Sequence, residues 1–312
     1  MRVLVTDPIA DAGIERLRAA GHEVVTAYDA AGTALLDAVA DADGLIVRSG
    51  TDVTEELFAA APKLQIVGRA GIGVDNIDID AATDHGVIVA NAPEGNVRAA
   101  AEHTVGMTFA TARSIPQAHG RMVDGAWAKG EFLGTELNGK TLGIVGLGRV
   151  GQEAAKRLGS LGMELVAYDP YISEERADQI GAELVELDAC IDRADFLTVH
   201  VPLTDETEGL IGAEELARMR EDAILVNVAR GGVVDQAALV DALQADALAG
   251  AALDVFETEP LPADSPLWEM DDVIVTPHSA AAHREYPDRM AALVRENLRR
   301  IADGEGLANA VV

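Results

Sequence analysis

The chain has 312 residues, enough for about two domains and a sizeable buried core. Apolar residues make up 49% and charged residues 25%, which excludes a disordered or fibrous chain. With 53 Asp and Glu against 24 Lys and Arg the formal net charge is −29, so phosphate backbones and anionic lipid repel it, and neither nucleic acid nor a membrane surface is expected as a partner.

Short β-branched runs alternate with stretches of helical periodicity, the pattern of βαβ units and parallel sheets. The first block predicts strands at 2–6, 24–27, 44–47, 64–67 and 87–90, with helices between them. A long Ala-rich helical stretch at 96–127, interrupted by Pro116, follows as a spacer. A second series predicts strands at 141–145, 165–168, 196–200, 223–228, 250–255 and 273–276. A last amphipathic helix at 288–301 precedes the tail at 306–312. The chain therefore reads as two α/β units, with no repeat and no Gly/Ser linker.

The segment 1–7 opens as a strand and meets Asp7, so no signal peptide is expected, and no apolar run reaches bilayer length. Cys190 is the single cysteine, which rules out an intramolecular disulfide and suits a reducing, cytoplasmic setting. Only Lys63, Lys129, Lys140 and Lys156 are lysines. A surface so acidic and so poor in Lys predicts a protein that needs concentrated salt to screen its own repulsion.

After the strand at 141–145 comes Gly146-Leu147-Gly148-Arg149-Val150-Gly151 and then a helical run. In that context the glycines make a tight turn, let the backbone approach a pyrophosphate and pack helix on strand, while the helix N-terminus offers amide donors. The next strand ends at Asp169, where a carboxylate accepts from the ribose 2′-OH of NAD and repels a 2′-phosphate. Arg230, Glu259 and His278 follow later strands. Ligands of open α/β sheets bind outside the carboxyl ends of strands, so these three can converge on a nicotinamide.

Arg69-Ala70-Gly71-Ile72-Gly73-Val74-Asp75-Asn76, Gly134-Thr135-Glu136-Leu137-Asn138-Gly139-Lys140-Thr141, the glycine loop, Ala229-Arg230-Gly231-Gly232 and Ala252-Leu253-Asp254-Val255-Phe256 stand in the order of one known family. Through them the chain resembles the D-isomer-specific 2-hydroxyacid dehydrogenases, its nearest branch being the D-3-phosphoglycerate dehydrogenases. The resemblance implies an α/β protein of two Rossmann-like domains, with an NAD-binding Rossmann domain, 99–282, inserted into a flavodoxin-like substrate domain made of 1–98 and 283–312. It further implies a homodimer, and a short form lacking the C-terminal regulatory domain that many phosphoglycerate dehydrogenases carry.

By the same resemblance, Arg230 binds the substrate carboxylate and polarises the reacting oxygen. His278 is the acid/base, and Glu259 holds its ring and favours the protonated form. In the cofactor pocket Arg149 and Val150 line the pyrophosphate, His200, Val201 and Pro202 pack near the adenosine, Val228 and Ala229 line the nicotinamide, and Asp254 accepts from its carboxamide. Arg48, Ser49, Arg69, Gly71 and Asn96 face the substrate, and no metal is expected.

Arg230 suffices for one carboxylate, so Arg48 and Arg69 suit a second anionic group. The expected reaction is NAD-dependent oxidation of D-3-phosphoglycerate to 3-phosphohydroxypyruvate, in serine biosynthesis. The alternatives are a glyoxylate/hydroxypyruvate reductase or another D-2-hydroxyacid dehydrogenase and, from a different class, an NADH-sensing corepressor-like binding protein. A formate dehydrogenase would carry Gln where Glu259 stands.

Overall fold

The computed structural model describes residues 1–9, 11–28, 30–71, 73–91, 96–127, 129–281, 296, 300 and 310–312. The chain divides into two compact units, Met1–Asn96 with Ala281–Val312, and Val97–Ala280.

In the first unit five parallel strands, β1 (Arg2–Val5), β2 (Glu23–Thr26), β3 (Gly44–Val47), β4 (Ile66–Arg69) and β5 (Ile88–Ala90), lie in the order β2-β1-β3-β4-β5, a flavodoxin-like arrangement. Side chains alternate across a strand, so a sheet covered on both faces needs apolar residues at every position. Thus Val3 and Val5 enter one core with Ile46 and Ile66, while Leu4 enters the other with Leu45, Phe58 and Val67. The C-terminal tail pairs antiparallel with β5. Val311 N–H donates to Val89 O at 2.8 Å, and Val89 N–H to Val312 O at 3.2 Å.

The second unit carries seven parallel strands: β6 (Thr141–Val145), β7 (Glu164–Tyr168), β8 (Ala182–Leu184), β9 (Phe196–Val199), β10 (Ile224–Asn227), β11 (Gly250–Leu253) and β12 (Val273–Val275). Their order is β12-β11-β10-β9-β6-β7-β8. The chain walks outward from β6 to β8, then returns to β9 on the other side of β6. That reversal makes a topological switch point, where a crevice opens at the carboxyl ends of β6 and β9.

Several elements depart from the sequence expectation. The strand β8 was not expected, because three residues carry too little periodicity to register. The stretch at 96–127 is two helices, Val97–Ala112 and Ile115–Val123, broken at Ser114, whose φ of 47° is left-handed. Pro116 opens the second helix, where its missing N–H is no loss. The fourth strand starts at Ile66, not at 64, because Leu64 N–H closes a turn on Ala61 O at 3.0 Å. This shift puts Arg69 at the strand end. The expected last helix at 288–301 lies outside the described residues except for Glu296 and Arg300, paired at 2.9 Å. No described helix is long and apolar enough to cross a membrane.

Candidate active site

At the switch point β6 ends in Val145, and Gly146 turns the chain with a φ of 94°. The helix Arg149–Gly159 begins directly after Gly148. Two of the glycines have a steric reason within the protein. A Cβ on Gly146 would lie 2.9 Å from the backbone carbon of His200, and one on Gly151 only 2.1 Å from Gly146 O. At Gly148 an added Cβ would meet no protein atom, so the exposed backbone there faces open space that a phosphate can approach. Arg149 is exposed beside it and Val150 half-buried.

Asp169, at the end of β7, closes the other side of the loop. Its Oδ2 accepts from Leu147 N–H at 2.8 Å and its Oδ1 from Tyr171 N–H at 2.9 Å. His200, after β9, supports the loop from behind: its Cβ would stand 3.5 Å from a Cβ on Gly151, and its Nε2 lies 3.0 Å from Thr198 Oγ1. Burial pushes the His200 pKa down to about 4, so the ring is neutral near pH 7 and serves as packing. Val201 lies against Gly146, and Pro202 is exposed just beyond it.

The second cluster stands at the ends of β10, β11 and β12, which are neighbours in the sheet. Buried Asn227 clamps the turn after β10 at both ends, donating from Nδ2 to Arg230 O at 2.9 Å and accepting at Oδ1 from Ala229 N–H at 3.0 Å. This turn carries Val228, Ala229 and Arg230. It packs so tightly on the turn after β11 that a Cβ on Gly231 would fall 1.9 Å from the carbonyl carbon of Phe256. Glu259 projects from the segment beyond Phe256. Its Oε1 accepts from Phe256 N–H at 3.1 Å, and its Oε2 lies 2.8 Å from His278 Nδ1. Burial alone would raise the Glu259 pKa, but the hydrogen bond and charge of His278, the Phe256 amide and the charge of Arg230 together hold it below the ordinary value.

His278 has a left-handed φ of 47°, a conformation costing a non-glycine residue about 1–2 kcal/mol. Asp254 holds the turn in that shape. His278 N–H donates to Asp254 O at 2.8 Å, and the fully buried Asp254 carboxylate collects Ser279 N–H (2.8 Å) and Thr276 Oγ1 (2.5 Å) on Oδ1 and Ala280 N–H (2.9 Å) on Oδ2. Burial would raise its pKa, and the hydrogen bonds from His103, Thr276, Ser279 and Ala280 outweigh that and lower it. Asp254 is thus chiefly the anchor of the His278 turn. Oδ2 alone keeps capacity for a further donor such as a carboxamide. An apolar cavity of about 620 Å³, walled by Phe256, Leu261, Trp268 and Val275, opens beside the Glu259–His278 pair, and neither Arg230 nor the glycine loop lines it.

In the first unit, four of the expected substrate residues, Arg48, Ser49, Arg69 and Gly71, lie at the carboxyl ends of β3 and β4. Arg48 N–H donates to Asp7 Oδ2, while Asn76 Nδ2 donates to Arg48 O at 2.7 Å and so fixes the turn that exposes Ser49. The Arg69 guanidinium folds over Gly71, where a Cβ would fall 1.2 Å from Nη1, so a larger residue there would push the guanidinium aside. Asn96 is buried at the end of this unit.

Residues 105–280 match the family described as D-isomer specific 2-hydroxyacid dehydrogenase, NAD binding domain. The chain belongs to this family. The D-3-phosphoglycerate dehydrogenase of Archaeoglobus fulgidus is 47% identical over 311 residues, covering all of this chain, which spans 59% of that longer protein. Among solved structures, a protein from Thermus thermophilus superposes with a TM-score of 0.93 at 36% identity over the full length of both chains. The NAD-dependent formate dehydrogenase of Staphylococcus aureus, in complex with NAD, gives 0.90 at 31% identity, covering all of this chain and 99% of the other.

As a member of the 2-hydroxyacid dehydrogenase family, the chain takes NAD, and its own residues fit that cofactor: a glycine cradle with an open backbone face, a helix N-terminus and a carboxylate at the end of the second strand. The sequence reading missed Asn227, which shapes the Arg230 turn, and the roles of Thr276, Ser279 and His103 around Asp254. Asn227 acts on the turn two and three residues ahead of it, whereas Thr276, Ser279 and His103 gain their roles from Asp254, which lies far from them along the chain.

Proposed function

We propose that this protein is an NAD-dependent dehydrogenase that oxidises D-3-phosphoglycerate to 3-phosphohydroxypyruvate, in serine biosynthesis. The observation that carries the reading is the gathering of Arg230, Glu259 and His278 at three neighbouring strand ends, with His278 Nδ1 2.8 Å from Glu259 Oε2. With Nδ1–H given to Glu259, His278 Nε2 is the free base that takes the substrate hydroxyl proton, and Glu259 balances the imidazolium so formed. Arg230 pairs with the substrate carboxylate and lends positive charge to the reacting oxygen. When bound, NAD supplies the acceptor for the hydride that leaves the substrate carbon. Arg149 and Val150 would flank its pyrophosphate, Asp169 its ribose, His200, Val201 and Pro202 its adenosine, and Val228, Ala229 and Asp254 its nicotinamide.

The phosphoglycerate assignment is supported by the identity to relatives that bear that name and by the arginines Arg48 and Arg69, which suit the phosphate with Ser49, Gly71 and Asn96 as further contacts. We assign 1–98 and 283–312 as the substrate domain and 99–282 as the NAD domain, and expect a cytoplasmic, salt-requiring homodimer paired through the exposed apolar side chains Ile115, Met122, Val123, Trp127 and Leu133. The test is kcat/KM for 3-phosphoglycerate, D-glycerate and D-lactate at NADH absorbance, in wild type and His278→Asn. The phosphorylated acid should lead by about tenfold or more, as a charge-assisted contact implies, and His278→Asn should lose turnover on all. No advantage for the phosphorylated acid hands the site to hydroxypyruvate or glyoxylate reduction, and no turnover at all favours an NADH-sensing binding protein.

A further inference from the structure

His103 lies on the helix Val97–Ala112, which packs across β10, β11 and β12. Its Nε2 sits 3.2 Å from Thr276 Oγ1 and 3.3 Å from Asp254 Oδ1, and its side chain is three-quarters buried. The proton inventory of this cluster is closed. The Thr276 hydroxyl has one proton, and Asp254 Oδ1, 2.5 Å away, takes it. Asp254, ionised and acceptor-only, already collects the Ser279 and Ala280 amides. A bare Nε2 lone pair would therefore face the Thr276 lone pairs and a carboxylate oxygen, which is repulsive. A protonated Nε2 donates to both. It also fixes the Thr276 hydroxyl rotor, sending its proton to Asp254.

The consequence reaches the reacting end of the site through one carboxylate. Asp254 accepts from the two residues after His278, while its own carbonyl accepts the His278 amide, and these bonds hold His278 at its left-handed φ with the ring on Glu259. Among the described residues five donors converge on that carboxylate, and His103 is the only one outside the segment 276–280 it restrains. The other four move with the turn. The bond from the helix therefore references the turn to the body of the unit.

We infer that His103 is a positioning residue for His278, acting through Asp254 and Thr276 with its proton on Nε2. The inference rests on the dehydrogenase reading above, in which His278 carries the proton.

The experiment combines His103→Leu and His103→Gln with histidine-selective 15N labelling of the full chain. Gln is the conservative variant, because its amide nitrogen can occupy the place of Nε2 and still donate. In wild type near neutral pH the His103 Nε2 resonance should be that of a protonated nitrogen. In His103→Leu kcat should fall about tenfold with KM for NAD changed less than twofold, and the His278 ring resonances should shift or broaden. In His103→Gln kcat should return to within about threefold of wild type and the His278 resonances to their wild-type positions. An unprotonated Nε2 in wild type overturns the inference without any variant. So do wild-type kcat with unmoved His278 resonances in the Leu variant, or equal loss in both variants. Should the wild-type chain turn over no 2-hydroxy acid, the dehydrogenase reading fails, yet the resonances still decide whether His103 positions His278.

Discussion

Gly231→Ala offers a sharp test of how the site is assembled, because the added methyl carbon has no flexible neighbour to push aside. It would lie 1.9 Å from the carbonyl carbon of Phe256, 2.0 Å from its oxygen and 2.5 Å from Glu257 N, all backbone atoms. Gly231 does not have a left-handed φ, so the effect is steric and not conformational. Relief to an ordinary contact of 3.4 Å requires the turns after β10 and β11 to part by about 1.5 Å, an overpacking cost of roughly 1–3 kcal/mol. Those turns carry Arg230 on one side and Glu259 with its His278 partner on the other. A misplacement of about 1 Å between groups that must act together can cost about 100-fold in rate. The expected result is kcat/KM down about 100-fold with Tm lowered by about 3–10 °C, read by NADH absorbance and thermal melting. A typical unstrained Gly→Ala change would instead stabilise by about 0.4–1 kcal/mol. An Ala variant with wild-type kcat/KM would refute the claim that the two turns are in register through Gly231.

Three other outcomes follow from the same geometry. The Asp254 pKa lies below its unfolded value, so its stabilising effect is complete above about pH 4 and is lost as pH falls through the folded value; the Tm gap between wild type and Asp254→Asn should be full at pH 7 and close in acid, and a gap independent of pH between about 7 and 3 would count against the clamp. Asp169→Ala removes acceptors for Leu147 and Tyr171 amides along with the charge, so NAD affinity should fall about 10–100-fold and the NAD/NADP preference narrow; equal use of both cofactors by wild type would remove Asp169 from that role. With 53 acidic against 24 basic residues, circular dichroism and activity across a salt series should show loosening at low ionic strength and recovery in molar salt, and full stability at millimolar salt would dismiss the salt requirement.

What the sequence determined by itself is the chemistry that depends on spacing along the chain. A strand, three glycines and a helix make a phosphate cradle whose local part is legible: Gly146 turns the chain with a positive φ, Gly148 leaves its backbone open and Gly151 packs on Gly146 O, whereas the His200 backbone that also bars a Cβ at Gly146 arrives only with the fold. The place of Asp169 beside that loop follows from the same spacing, one strand further on. Short apolar runs alternating with helical stretches announced two α/β units with parallel sheets, while a three-residue edge strand such as β8 left no such mark. Tertiary structure decided the rest. His103 meets Thr276 across 173 residues, and nothing in an Ala-rich helix tells a histidine that caps a buried carboxylate from one on the surface. Asp254 is expected from the resemblance only as an acceptor for the carboxamide, and its bracing of the His278 turn emerges when four donors from 276–280 are folded onto it. Gly231 lacks a left-handed φ, so its necessity comes from a neighbouring backbone that arrives only with the fold. Motifs confined to a few residues were local enough to read. The contacts that brace the strand-end turns were not, because hydrogen bonds and close contacts are satisfied in space, without regard to separation along the chain.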